Sequence, residues 1–505
     1  LDAITGEQIH EILHAEGKIY TVLKIDEGNQ LGAARIRLRS LKAVMDERER
    51  NGVLPRKIPR REHKVLFSRE MKNYSILAPQ MAPIHFQLIE RAFQYSGYDL
   101  RVLPSVDHEA VETGLKYVHN DACYPTILVV GQLLKALQSG EFDTDRVALL
   151  ITQTGGGCRA TNYISFLRKA VAEAGYGHIP VISLNAIGLD ENPGFSISGK
   201  MLRRNFQAVV YGDLLMRVLL KTRPYEELPG SAEALYHSWM EKIKNDLDRA
   251  NGFVYHRNIR RIVEDFDRLP LRDVRKPRVG LVGEILVKFH PTANNEVIKV
   301  VEREGAEAVV PDLLDFLLYT AHTGHFKESH LSGTRKQKYV ASAIIGYLER
   351  YRRVMRKALH GSRRFEAPPT IYELAEKTKP VVSVGAIMGE GWFLTGEMIE
   401  LIESGADNVV VMQPFACLPN QITGKGMMKI LKRRYPAANI TAIDFDPGAS
   451  EVNQLNRIKL MLSVAFKKME DEREASSSPG RTSASDNGGP PFVHAAASRP
   501  AQIHA

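Results

Sequence analysis

The sequence predicts an α/β protein in which two parallel-sheet lobes are joined by a helical layer, and three observations point to it. Short β-rich runs alternate with helical stretches, a pattern that favours parallel strands with crossover helices on both faces. Two such series are separated by a long stretch of helical periodicity. At 505 residues and 44% apolar composition, the chain can also fill more than one core, since single cores rarely grow past about 250 residues.

Residues 1–62 form an N-terminal α/β segment. It opens with a helical pattern at Ile9, Ile12 and Leu13, continues through the β-like run Lys18-Ile-Tyr-Thr-Val-Leu-Lys24, and ends in a helix-like stretch over 31–48. It is too small for its own core, so it packs on the first lobe or ends a domain that begins upstream. The absence of an initiator Met before Leu1 reads the same way, as a piece of a longer polypeptide or a trimmed chain.

Residues 63–197 form the first lobe. Strands are expected at Val65-Leu-Phe67, 74–77, 100–103, 147–152 and 179–184, and helices at 84–95, 126–137 and 162–174. Residues 198–277 read as helix throughout and supply the connecting layer. The second lobe, 278–470, begins at Arg278-Val-Gly-Leu-Val-Gly283 and continues through strands at 308–310, 381–387, 408–412 and 440–443 to a last helix over 452–468. Both lobes are expected to be doubly wound, flavodoxin/Rossmann-like sheets, whose ligands gather outside the carboxyl ends of the strands. Residues 471–505, rich in Ser, Pro, Gly and Ala, cannot bury enough apolar surface to offset chain entropy and are expected to be a disordered tail.

Bulk properties narrow the function classes. Apolar runs are far shorter than the roughly 20 residues that a bilayer span needs, and the N-terminus shows no secretory signal pattern. Three cysteines are an odd number in a long chain, which excludes a disulfide framework and points to a reducing, cytoplasmic setting. The net charge of +9 gathers in runs such as Pro55-Arg-Lys-Ile-Pro-Arg-Arg61 and Arg352-Arg-Val-Met-Arg-Lys357. Such runs read first as solvated helix faces or linkers and second as sites for phosphate-bearing ligands. No interleaved aromatics support nucleic acid.

The residues that carry chemistry are the three cysteines. Each lies at a turn before a helix: Asn120-Asp-Ala-Cys123-Tyr-Pro, Thr152-Gln-Thr-Gly-Gly-Gly-Cys158-Arg and Gln413-Pro-Phe-Ala-Cys417-Leu-Pro-Asn. A lone cysteine is more often a small buried hydrophobe, but none of these lies inside an apolar run. Gly155, Gly156 and Gly157 let backbone approach a ligand and present N–H groups to it, while no glycine loop ending in Gly-Lys-Ser/Thr is present for a nucleotide. Zinc with an open position and a thiol nucleophile stay as alternatives, although neither finds its usual spacing. Asn120, Gln153, Arg159, Gln413 and Asn420 flank the cysteines, and Glu284, His290 and Glu390 fall at expected strand ends near the same cleft. Each also has an ordinary reading as a helix cap or turn residue. Arg159 has the strongest case among them, as a cation beside a thiolate.

At these motifs the sequence resembles the 2-hydroxyacyl-CoA dehydratase superfamily, in particular the C-terminal part of the large acyl-CoA dehydratase activase-related proteins. The resemblance covers most of residues 1–468. It rests on the three cysteine motifs and on Lys24-Ile-Asp-Glu27, Leu31-Gly-Ala-Ala-Arg-Ile-Arg37, Gly283-Glu284, His290-Pro291 and Asn294-Asn295. Further matches are Gly389-Glu-Gly-Trp392, Thr395-Gly-Glu397 and Asp444-Phe-Asp-Pro-Gly-Ala-Ser450-Glu-Val-Asn453. The resemblance implies a 4Fe-4S cluster held by Cys123, Cys158 and Cys417 between two lobes, with its fourth iron open. It also implies an ATP-hydrolysing iron-sulfur activase, as a separate chain or a missing N-terminal part, that donates one low-potential electron. The implied reaction is a reductive radical dehydration of an acyl-CoA, as in an oxygen-sensitive lyase. Arg159, Glu284, His290 and Glu390 would then serve catalysis, and Gly155–Gly157, Gln413 and Asn420 would line the cofactor. A non-catalytic electron-transfer or scaffold subunit is the competing reading, and a dimer is compatible with either.

Overall fold

The computed structural model describes residues 2–23, 32–53, 64–104, 108–119, 122–152, 158–184, 192–249 and 251–477. The first sheet contains β1 (Ser75–Ala78), β2 (Asp99–Val102), β3 (Val147–Thr152) and β4 (Val181–Leu184), all parallel, in the order β2-β1-β3-β4. The second contains β5 (Arg278–Gly283), β6 (Glu307–Val309), β7 (Asn408–Pro414) and β8 (Asn439–Phe445), again parallel, in the order β6-β5-β7-β8. The expected α/β class with two parallel sheets is therefore present. The central strands read as unbroken apolar runs because both their faces are covered; every residue of β7 is buried.

The two sheets carry the same permutation of strands. In each, the chain reverses direction across the sheet between the first strand and the third, at β1/β3 and at β5/β7. Such a switch point leaves a crevice at the carboxyl edge, because the crossovers leave toward opposite sides. One continuous apolar core spans both sheets: Leu77, Leu149 and Val181 of the first belong with Leu281, Val410 and Ile443 of the second.

The helical layer is larger than expected. Helices Gly199–Thr222, Ser231–Asp246 and Gly252–Asp267 form it together with Leu313–His330, Arg335–His360 and Ile371–Thr378, all sharing a second core. Arg352, read from the sequence as part of a solvated basic run, is instead fully buried and pairs with Asp315 at 2.6 Å and with Asp312 and Glu349 at 3.5 Å.

Several expected elements differ. Residues 381–387 are turns, not a strand, because Val382, Val384, Ala386 and Ile387 pack on the helical layer while β7 is already paired with β5 and β8. Val65–Phe67 and 18–23 belong to no strand. The last helix, Glu451–Ser477, runs through the expected boundary at 470. The basic run at 55–61 and the tail beyond 477 lie outside the described residues. Among the described residues no helix is long and apolar enough to cross a membrane.

Candidate functional site

Five polar or thiol side chains sit at the first turn of five helices. Cys123 precedes helix Tyr124–Gln138, Cys158 precedes the short 3-10 turn Arg159–Asn162, and Cys417 precedes helix Leu418–Thr423. Glu284 precedes helix Ile285–Phe289, and Glu390 precedes helix Gly391–Glu403. Pro125 and Pro419 account for two of these starts, since proline is pre-organised for a first helical turn and has no N–H to satisfy. Backbone N–H groups of Ala160 and Asn420 point at the Cys158 and Cys417 sulfurs, a setting that favours a thiolate and so a metal ligand.

Topology explains the convergence. Cys158 follows β3, Glu284 follows β5 and Cys417 follows β7, so all three leave the carboxyl edge beside a switch point. The charge of each cysteine is felt by others: Cys123 and Cys158 interact, as do Cys123 and Cys417, and Glu284 and Glu390 act on all three thiols. The thiols are half-buried. Loss of solvent is the main cause that holds them protonated, with the two carboxyls adding to it; Cys158 is pushed up to about 11, and Cys123 and Cys417 are pushed well above the ordinary thiol range. The cation at Arg159 works in the opposite direction on Cys158.

The carboxyls form a connected pair. Glu284 accepts from the Val287 N–H at 2.8 Å, and Glu390 accepts from the Ile285 N–H at 3.1 Å. With its amide oriented to suit its neighbours, Asn420 donates to Glu390 Oε2 at 2.7 Å and accepts from the Glu284 N–H at 3.1 Å. This ties the Cys417 helix to both acids. Burial raises both carboxyl pKa values, and the Glu390 charge raises Glu284 further. Glycines hold Glu390 in place. Gly389 and Gly391 have φ of +57° and +48°, and a Cβ on Gly391 would lie 2.0 Å from the Ala386 carbonyl oxygen and 2.5 Å from the Tyr319 hydroxyl. Ala416, just before Cys417, also has a positive φ of 56°, a strained conformation for a residue with a Cβ.

Not every expected residue joins this group. Gln413 is fully buried at the end of β7 and donates to Asp444 at 2.6 Å, while its Oε1 has no partner among the described residues. His290 is fully buried, and its Nδ1 accepts from the Ala293 N–H at 3.3 Å inside the next turn; burial lowers its pKa to about 4. That interaction stabilises the turn, while the buried Nε2 has no hydrogen-bond partner among the described residues. Asn120, Gln153 and Gly155–Gly157 lie outside the described residues. Two residues were missed from sequence. The Tyr163 hydroxyl hydrogen-bonds the Cys123 thiol, and its position five residues after Cys158, at a helix start, was a usable signal. Tyr319 feels Cys158 and Glu390, and its buried hydroxyl has no hydrogen-bond partner among the described residues. Nothing local in the sequence marks it, because it reaches the site from the helical layer.

Three thiols and two carboxyls are a donor set of the kind that holds a metal ion or a cluster. A tetrahedral zinc holds thiolates at about 2.3 Å and so brings them within roughly 4 Å of one another. Among the described residues no group of three or more His, Cys, Asp or Glu side chains closes around one metal ion. A cubane takes each cysteine on a different iron and so at a wider spacing. The unpartnered Tyr319 hydroxyl beside them is a donor available to a sulfur-rich or oxygen-rich ligand. Comparison with known proteins found no matching family model and no matching curated protein.

Proposed function

We propose that this protein is an iron-sulfur protein of the 2-hydroxyacyl-CoA dehydratase kind, in which Cys123, Cys158 and Cys417 hold a 4Fe-4S cluster and accept an electron from an ATP-hydrolysing activase. The observation that carries the reading is that three half-buried thiols at helix starts, two of them at the carboxyl edges of the two sheets, feel one another's charge and that of the same two carboxyls. Such a cluster supplies a single low-potential electron and one vacant iron position.

The chain's own residues supply the surroundings. Tyr163 donates to the Cys123 sulfur and Arg159 places a cation beside Cys158, and both favour the thiolate. Glu284 and Glu390 share a buried environment in which a proton is retained above the usual carboxylate range. A carboxyl that stays protonated near neutral pH is a proton donor suited to an expelled hydroxyl group. The Asn420 amide holds Glu390 in position for that role.

The test is to mix the anaerobically reconstituted chain with reductant, with and without an activase and ATP, and to follow the cluster's EPR signal and the turnover of 2-hydroxyacyl-CoAs. The reading expects reduction and turnover only with activase and ATP. Equal turnover with reductant alone would remove the activase, and reduction without turnover of any acyl-CoA would favour an electron-transfer subunit.

A further inference from the structure

The amino ends of the second sheet border a different cleft, of about 970 Å³. Arg278, Glu307 and Asn408, the first residues of β5, β6 and β7, line it. The six residues of β5, at about 3.3 Å per residue, separate it from Glu284 and the cysteine edge. Nine lysines and arginines line the cleft against four carboxylates.

Three of those carboxylates are already neutralised. Glu307 pairs with Lys221 and Arg278, each at 3.1 Å, Glu472 pairs with Arg275 at 2.9 Å, and Asp407 pairs with Lys468. The fourth, Asp273, is exposed. Cations remain in excess. Arg272 donates to the Glu226 carbonyl oxygen, and Arg364 to those of Phe266 and Leu269, bonds that leave their charge uncompensated. Lys276, Arg363 and Arg434 line the cleft without an ion pair among the described residues. Lys276 is half-buried, with its Nζ 5.9 Å from the centre of the Tyr225 ring, and burial together with the Arg272 charge lowers its pKa. A desolvated lysine beside an arginine is costly unless an anion arrives.

We propose that this cleft binds a small ligand carrying at least two linked phosphates. Its volume lies in the range of about 300–1,000 Å³ found for small-molecule sites, and guanidinium groups converging on a concavity suit the several oxygens of a diphosphate. The chain's own C-terminal segment does not supply the missing charge, because residues 478–505 contain two arginines and one aspartate. Tyr225 and Tyr435 also line the cleft, which gives a nucleoside diphosphate apolar partners that free pyrophosphate does not use. A site on the amino edge is remote from the chemistry, which gives the ligand a binding or regulatory role. The proposal rests on the cations alone and is independent of what the cysteines hold.

Isothermal titration of the full chain with pyrophosphate, ADP and adenosine, at low salt and at about 0.15 M, tests it. Pyrophosphate and ADP should bind saturably and more weakly as salt rises, and adenosine should not bind. ADP binding tighter than pyrophosphate assigns a nucleotide, and equal binding assigns a free polyphosphate. Lys276→Gln and Arg434→Gln should each weaken ADP about tenfold, ~1.4 kcal/mol, with unchanged melting curves, whereas Lys432→Gln, outside the lining, should leave binding unaltered. No saturable binding by either phosphate compound would overturn the proposal. So would affinities indifferent to both substitutions, or capture of an oligonucleotide or acidic peptide that pyrophosphate does not displace.

Discussion

A thiol at a helix start among buried carboxyls is held protonated, so a metal must displace that proton to bind it. Tyr163 eases the displacement through its hydrogen bond to Cys123. Tyr163→Phe should keep the iron content but shift the reduction potential to more negative values, because an O–H donor to sulfur stabilises the more electron-rich reduced state; redox-titrated EPR measures it. Glu284 shows the opposite balance. Its folded pKa lies above the ordinary 4.5, so the folded state holds the proton more tightly than the unfolded chain. Its contribution to stability is present below about pH 4.5 and is lost as pH rises through the neutral range. Glu284→Gln, whose amide oxygen can still accept from the Val287 N–H, should flatten that decline, and urea midpoints across pH 5 to about pH 8 would show it. The cysteines and Glu284 were legible as residues, because turn chemistry and a strand end mark them, whereas Glu390 was named from a strand end that the turns at 381–387 replace. Tyr319 was not legible, because only the tertiary packing of a distant helix brings it there.

At the scale of elements, helix starts place the chemistry. The turn from Gly389 to Gly391 packs Gly389 against Pro419, where a Cβ would lie only 3.0 Å from that ring, and Gly391 against Ala386 and Tyr319. Gly391→Ala should destabilise the fold by about 2–4 kcal/mol, since it combines a left-handed conformation with overpacking, and it should lower cluster retention as Glu390 shifts. Urea unfolding with iron analysis checks both. The preceding segment, 381–387, shows why strands were partly misread. Its apolar pattern was genuine, but it was satisfied by packing on helices, as at Gly385, where a Cβ would lie 2.4 Å from Phe326. Periodicity reports that a face is buried, not against what. The long apolar runs of β3 and β7 were legible because two-sided burial leaves little else for them to be.

Across the whole molecule, two sheets of identical strand order share one core, and Cys158 after β3 matches Cys417 after β7 in topology. The helical layer holds this arrangement through a buried charge network. Asp312 bonds Arg217 at 2.7 Å as well as Arg352, and Asp213 joins His85 at 2.8 Å to the Leu313 N–H at 2.6 Å. Arg352→Met should cost about 3–5 kcal/mol, because it strands buried carboxylates without their counter-ion; the urea midpoint is the readout. In the proposed function the three cysteines hold one cubane. Iron and acid-labile sulfide analysis of the anaerobically reconstituted chain, beside Cys123→Ser, Cys158→Ser and Cys417→Ser, tests it most directly. About four irons and four sulfides per chain are expected, with each single substitution losing them. A colourless protein carrying stoichiometric zinc, or full iron retention in any of the three variants, would contradict it.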